Sequence, residues 1–197
     1  MQQDDIYLKQ VYSELEALMG VLETISREEL VKLVKMAGLI AEAIDSGHVI
    51  FTCGNGGSAA DAQHIVGELV GRFRKKPKGY RAFALTTNSS IVTSLANDFS
   101  FDEVFSKQLE SGAGAGDVLL ALSTSGSSPN VIRAVERAAE MGMASLAFSG
   151  KGGGDLAMKA DIAFVVPHDD FARIQEVHMT LGHILCGLVE EFLEVES

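Results

Sequence analysis

The chain has 197 residues, enough for one domain with a sizeable core, and 47% apolar against 22% charged residues is a globular balance. Aspartate and glutamate outnumber lysine and arginine by 27 to 16, a formal net charge of -11. That balance argues against nucleic-acid or anionic-membrane binding, which needs a positive field, but admits a small anion held by backbone N–H groups.

The acidic start MQQDDIYLKQ lacks the basic and apolar regions of a signal peptide. No apolar run reaches transmembrane length. Cys53 and Cys186 read as core thiols in a reducing compartment, so the cytoplasm is the expected location.

From about Asp5 to Ser46 the spacing is helical. Val11, Leu15, Leu18 and Leu22 share one face, and Ser26 with Glu29 forms a capping box that opens a second helix. The period then changes. His48–Cys53, Arg81–Thr86, Asp117–Ser123, Ala144–Gly150 and Ile162–Pro167 are short apolar runs of strand type. Helical stretches fall between them, at 59–73, 88–111, 129–141 and 153–160, and a last helix runs from about Phe171 to Val195. The alternation predicts an α/β fold: one domain over 1–197, a five-stranded parallel sheet in a three-layer α/β/α sandwich. Helices within 1–46 are added to it, packed on the core or at an oligomer interface. The Gly-rich stretches 112–116 and 150–154 read as plain loops.

Ligands of such sheets bind at the loops leaving the carboxyl ends of strands. After the first strand comes CGNGGSAADAQH, Cys53 to His64. Its glycines allow close backbone approach, and Ser58 is placed to cap the next helix. Gly54, Gly56 and Ala59 match G-x-G-x-x-A weakly, but a dinucleotide site needs an acidic ribose partner after the second strand. Thr86, Thr87 and Asn88 stand there instead. After the third strand, STSGSSPN offers the hydroxyls of Ser123, Thr124, Ser125, Ser127 and Ser128 before Pro129, with Ser128 as the expected cap. Such a cluster at a helix N-terminus favours a phosphate. Asn97 and Asp98, near a helix end, suit either sugar hydroxyls or a turn. In the basic run Arg72–Arg81, Arg72 is the cation best placed to reach the phosphate.

His64 and Glu68 lie four apart on one helical face, a pair that suits a divalent metal, a general base or an ordinary surface contact. Gln175, His178 and His183 interrupt an otherwise apolar last helix. Gln175 and His183 are about 80° apart around the helix and roughly 12 Å along it. Reaching one ion from both is strained within one chain and eased by a neighbouring subunit. His178 reads as a satisfied interface group.

GNGGSAADAQH, STSGSSPN and RIQEVHMTLGHIL together resemble the phosphoheptose isomerases of the sugar isomerase (SIS) superfamily, over essentially the whole chain. The resemblance implies a flavodoxin-like SIS fold and one zinc ion per subunit on His64, Glu68, Gln175 and His183. Glu68 would be the base and His183 its acid/base partner. Asn55, Gly56, Gly57, Ser58, Glu68, Asn97, Asp98, Ser123, Thr124, Ser125, Ser128 and Gln175 would line the sugar-phosphate site. It implies a homotetramer with sites completed at subunit interfaces. The implied reaction converts sedoheptulose 7-phosphate to glycero-manno-heptose 7-phosphate through an enediol, toward the heptose of surface polysaccharides such as lipopolysaccharide. The rival is a non-catalytic SIS protein that binds a replication-initiator partner. Glu68 beside His64 separates the two, because a proton shuttle needs a carboxylate.

Overall fold

The computed structural model describes residues 2–71 and 79–195. Arg72, expected near the phosphate, lies outside them. The N-terminal segment forms α1 (Gln2–Glu23) and α2 (Arg27–Asp45). Ser26 caps α2, its hydroxyl oxygen accepting from the Glu29 N–H at 3.2 Å. Among the described residues, no bond completes the other half of the expected box. Glu29 accepts from the Val165 N–H at 2.8 Å instead, tying α2 to an edge strand whose outer N–H would otherwise lack a partner.

Five parallel strands follow: β1 (Ile50–Gly54), β2 (Ala82–Ala84), β3 (Val118–Ser123), β4 (Ala144–Ser149) and β5 (Ile162–Val165). Their order in the sheet is β2-β1-β3-β4-β5. Alternate residues serve opposite faces. Val118, Leu120 and Leu122 point toward a layer containing α2, α3 (Gly57–Val70) and α8 (Phe171–Val195), where Met36, Ile40, Ile65 and Leu181 pack. Leu119 and Ala121 point toward α5 (Ser106–Gly112), α6 (Pro129–Glu140) and α7 (Gly154–Lys159). The expected three-layer α/β/α architecture is the one found.

The expected helix over 88–111 is broken into α4 (Ser89–Asp98), a 3-10 turn at Phe101–Glu103, and α5. Ser100 is fully extended, with φ -166° and ψ 163°. The run Asn97-Asp98 before it is turn chemistry, which competes with helix continuation. Both cysteines are buried, and burial pushes each thiol up to about 12. His178 is wholly inside the chain's own core rather than at an interface: its ring lies 5.7 Å from Phe148, and its Nε2 is 3.2 Å from the Ser149 carbonyl oxygen.

The chain turns one way from β1 to β2 and the other way to β3. The loops leaving β1 and β3 therefore flank the point where strand order reverses, the ligand crevice of open α/β sheets. Register pairs Gly54 with Leu122, so Asn55 and Ser123 emerge side by side.

Candidate active site

At the β1 loop, Gly56 adopts φ +54° and serves as N-cap of α3 without a side-chain bond. This starts the helix two residues earlier than expected. Ser58 is consequently its second residue, 5% exposed, and not the cap. A β-carbon on Gly57 would stand 2.2 and 2.3 Å from the two amide atoms of Gln175, so only glycine lets that side chain of α8 lie on the loop. Asn55 and Asn130 exchange reciprocal amide bonds of 2.8 and 2.9 Å. That pair joins the β1 loop to the first turn of α6.

At the β3 loop the hydroxyls converge on one another. Ser123 Oγ lies 3.1 Å from Ser128 Oγ and 3.4 Å from Ser125 Oγ, and Ser127 donates to Ser125 Oγ at 3.0 Å. Ser128 stands at the N-cap position of α6 but makes no side-chain cap, because its hydroxyl turns toward Ser123 at the strand end. Thr124 is half-buried in the same turn. An anion would offer these hydroxyls charge-assisted bonds, stronger than the ones they make to each other.

The remaining chemistry comes from α3 and α8. His64 Nε2 lies 3.1 Å from Glu68 Oε1 and 3.0 Å from His183 Nε2, with the two imidazole rings edge to face. One atom from each of the three residues falls within a 4.8 Å span. His183 arrives from the same chain, so it needs no neighbouring subunit. In a tetrahedral zinc site with bonds of 2.0–2.1 Å, ligand atoms stand roughly 3.3 Å apart, close to the two separations found here. Two imidazoles and a carboxylate are also a usual catalytic zinc set, leaving one position open. The donors present therefore fit the ion. Gln175, the expected fourth ligand, has its amide against Gly57 and bonded to Asp61, two helical turns before His183.

Asp61 was not singled out in the sequence. It is 6% exposed, and one of its oxygens, Oδ2, has no hydrogen-bond partner among the described residues. Burial pushes its carboxyl up to about 6, against the opposing pull of the Gln175 bond and of His64. A cavity of about 330 Å³ opens beside it, lined also by Phe171, Gln175 and Met179. Its only sequence signal is its place one turn before His64 on the helix carrying the metal-type pair. Asn97 and Asp98 are exposed at the end of α4 and bonded to each other at 2.9 Å. Among the described residues, no hydrogen bond or ion pair joins either of them to the trio.

The sequence model of the SIS domain family matches residues 15–150. A phosphoheptose isomerase of Nitratidesulfovibrio vulgaris is 49% identical over 162 residues, covering 82% of this chain and 78% of the relative. The chain belongs to the SIS-domain family and, within it, to the phosphoheptose isomerases. The phosphoheptose isomerase of Geotalea daltonii is 43% identical over 186 residues, 94% of this chain and 97% of that protein. Among solved structures, the phosphoheptose isomerase of Neisseria gonorrhoeae superposes with a TM-score of 0.88 at 38% identity, covering 94% of this chain and 99% of the other. The chain is thus an isomerase with the fold of that family, as the resemblance implied.

Proposed function

We propose that the chain converts sedoheptulose 7-phosphate to glycero-manno-heptose 7-phosphate by moving a proton between C1 and C2 through an enediol. The observation that carries this reading is the trio of His64, Glu68 and His183, set across the sheet's switch point from a loop of clustered hydroxyls. Asn55, Gly56, Gly57, Ser58, Ser123, Thr124, Ser125 and Ser128 hold the phosphate end, and Gln175, Asn97 and Asp98 meet the sugar hydroxyls. Pinning the far end fixes the reacting carbons in register with the carboxylate. Glu68 removes the proton from one carbon and returns it to the other, as general base and then acid. His183 moves the second proton between the two oxygens, a task suited to an imidazole near neutral pH. A zinc ion held by His64, Glu68, His183 and Gln175 would supply a Lewis acid for the enediolate charge. Metal ligation and proton abstraction at Glu68 alternate, because a tightly ligated carboxylate is a poor base.

The assembly in this reading is a homotetramer. Tyr7, Val11, Leu15 and Met19 form an exposed apolar stripe on α1, which packs on α8. Phe83, beside Phe51, is exposed on the opposite side of the sheet. A dihedral tetramer needs two different self-complementary patches. We place the enzyme in the cytoplasm, supplying heptose for lipopolysaccharide; among the described residues, no helix is long and apolar enough to cross a membrane.

The test is aldose formation from sedoheptulose 7-phosphate by the parent and by Glu68→Gln, with metal analysis of both. Turnover by the parent that falls by about 10²-fold or more in the variant supports the reading. No turnover by the zinc-loaded parent refutes it and favours a protein-binding role.

A further inference from the structure

The shape of the Ser-rich loop is set by a second loop that contributes nothing to the proposed site. Gly126 is its buried corner, at φ +66°. A β-carbon there would lie 2.0 Å from the Gly153 carbonyl oxygen and 2.7 Å from Ser149 Oγ. The Gly126 carbonyl accepts from the Leu156 N–H of α7 at 2.9 Å. A β-carbon on Gly154 would stand 2.6 Å from that same carbonyl oxygen. The turn 150–154 is therefore pressed backbone-to-backbone against the hydroxyl loop.

What holds that turn is polar and wholly buried. Ser149, the last residue of β4, donates its hydroxyl to the Gly153 carbonyl at 2.9 Å. The Ser149 carbonyl accepts from the Val166 N–H at 2.8 Å and faces His178 Nε2 at 3.2 Å. Both side chains are 0% exposed. Polar groups are costly in an apolar layer unless bonded, and their bonds are directional where apolar contacts are not. The contacts run unbroken from His178 through Ser149 and Gly153 to Gly126.

We propose that Ser149 and His178 are positioning residues for phosphate binding: they fix the end of β4, and through Gly153 they hold Gly126 and its neighbouring hydroxyls in binding register. This rests on reading 123–128 as the phosphate anchor. Ser149 stands beside Ser123 in the sheet, but its hydroxyl and the His178 ring bond to backbone carbonyls and not to the anchor's hydroxyls, so they act through the backbone and not on the substrate. Loosening the brace weakens phosphate capture and leaves the metal-type trio intact.

The test uses inorganic phosphate as a competitive inhibitor of the full-length enzyme, with metal content and melting temperature measured alongside. Ser149→Ala is expected to weaken phosphate inhibition by about tenfold, the scale of one lost buried hydrogen bond, at unchanged metal content. His178→Leu should do the same, and His178→Gln, whose amide N–H still reaches the carbonyl, should restore most of the affinity. These histidine variants keep the test decisive should Ser149→Ala not fold. A merely structural role lowers the melting temperature while folded Ser149→Ala and His178→Leu bind phosphate like the parent, and that result overturns the proposal. If phosphate does not compete in the parent and Ser125→Ala changes nothing, the anchor reading falls and takes the proposal with it. If Ser125→Ala weakens phosphate and both brace variants do not, the proposal alone falls.

Discussion

Acid should destabilise this protein through His178 before the fold fails generally. The folded chain holds that imidazole neutral, with its pKa pushed down to about 4, because burial penalises the cation more than the Ser149 carbonyl stabilises it. In the unfolded chain the value returns to about 6.5. Between those two values the unfolded state takes up a proton and the folded state does not. Stability is therefore full above the unfolded value and is lost progressively as pH falls toward the folded one. The interval of roughly 2.5 units at 1.36 kcal/mol each gives a loss on the order of 3 kcal/mol. Urea denaturation at fixed protein concentration, at about pH 7.5 and again near pH 4.5, measures it in the parent and in His178→Gln. The carboxylates titrate in both proteins, so their part cancels in the difference. The parent should lose about 2–3 kcal/mol more than the variant. Equal losses would show that the buried imidazole does not carry the acid sensitivity, and the argument from burial would be wrong.

Gly57→Ala drives a β-carbon into the Gln175 amide, so the side chain must swing away; kcat/KM should fall by about 10²-fold, the cost of an ångström-scale misplacement, while the melting temperature barely moves. Asn130→Ala removes both bonds of the amide pair and strands Asn55, which should raise KM and cost about 1–3 kcal/mol in urea denaturation. Leu120→Ala, at the fully buried centre of β3, should cost about 2–5 kcal/mol of stability at any pH, with metal content unchanged in the protein that remains folded.

The sheet was legible because β1, β3 and β4 are buried on both faces and so read as continuous apolar runs, which local periodicity detects. His64 and Glu68 were legible for a similar reason, since four-residue spacing on a helix is local information. His183 was legible only as a polar break in an apolar helix; its meeting with His64 spans 119 positions of chain, and the family resemblance supplied that. The amide pair joins residues 75 apart, and the Ser149–His178 contact joins residues 29 apart across two layers. Ser149, a single polar residue ending an apolar run, gives no spacing signal, and within the polar motifs that hold them Asn130 and Asp61 carry no spacing of their own. Ser58 misses the cap position, and Ser128 holds it without a side-chain bond, for another reason. Ser58 and Ser128 each carry a good capping side chain, but the backbone freedom of Gly56 and the nearness of Ser123 decided their surroundings.

The acidic composition and an anionic substrate are compatible because the two act over different distances. At physiological ionic strength, exposed charges are largely screened beyond about 8 Å, so the net charge of -11 says little about a crevice lined by neutral donors. At the β3 loop a bound phosphate would meet clustered hydroxyls at the positive end of α6. At the other end, two imidazoles face the single carboxylate of Glu68 at short range. The strand order sets the β1 and β3 loops on either side of one crevice, and the Asn55–Asn130 pair fixes one to the other. In the proposed reaction a sugar phosphate meets donors at its tail and a proton acceptor at its head. That is the division of labour an enediol isomerisation requires.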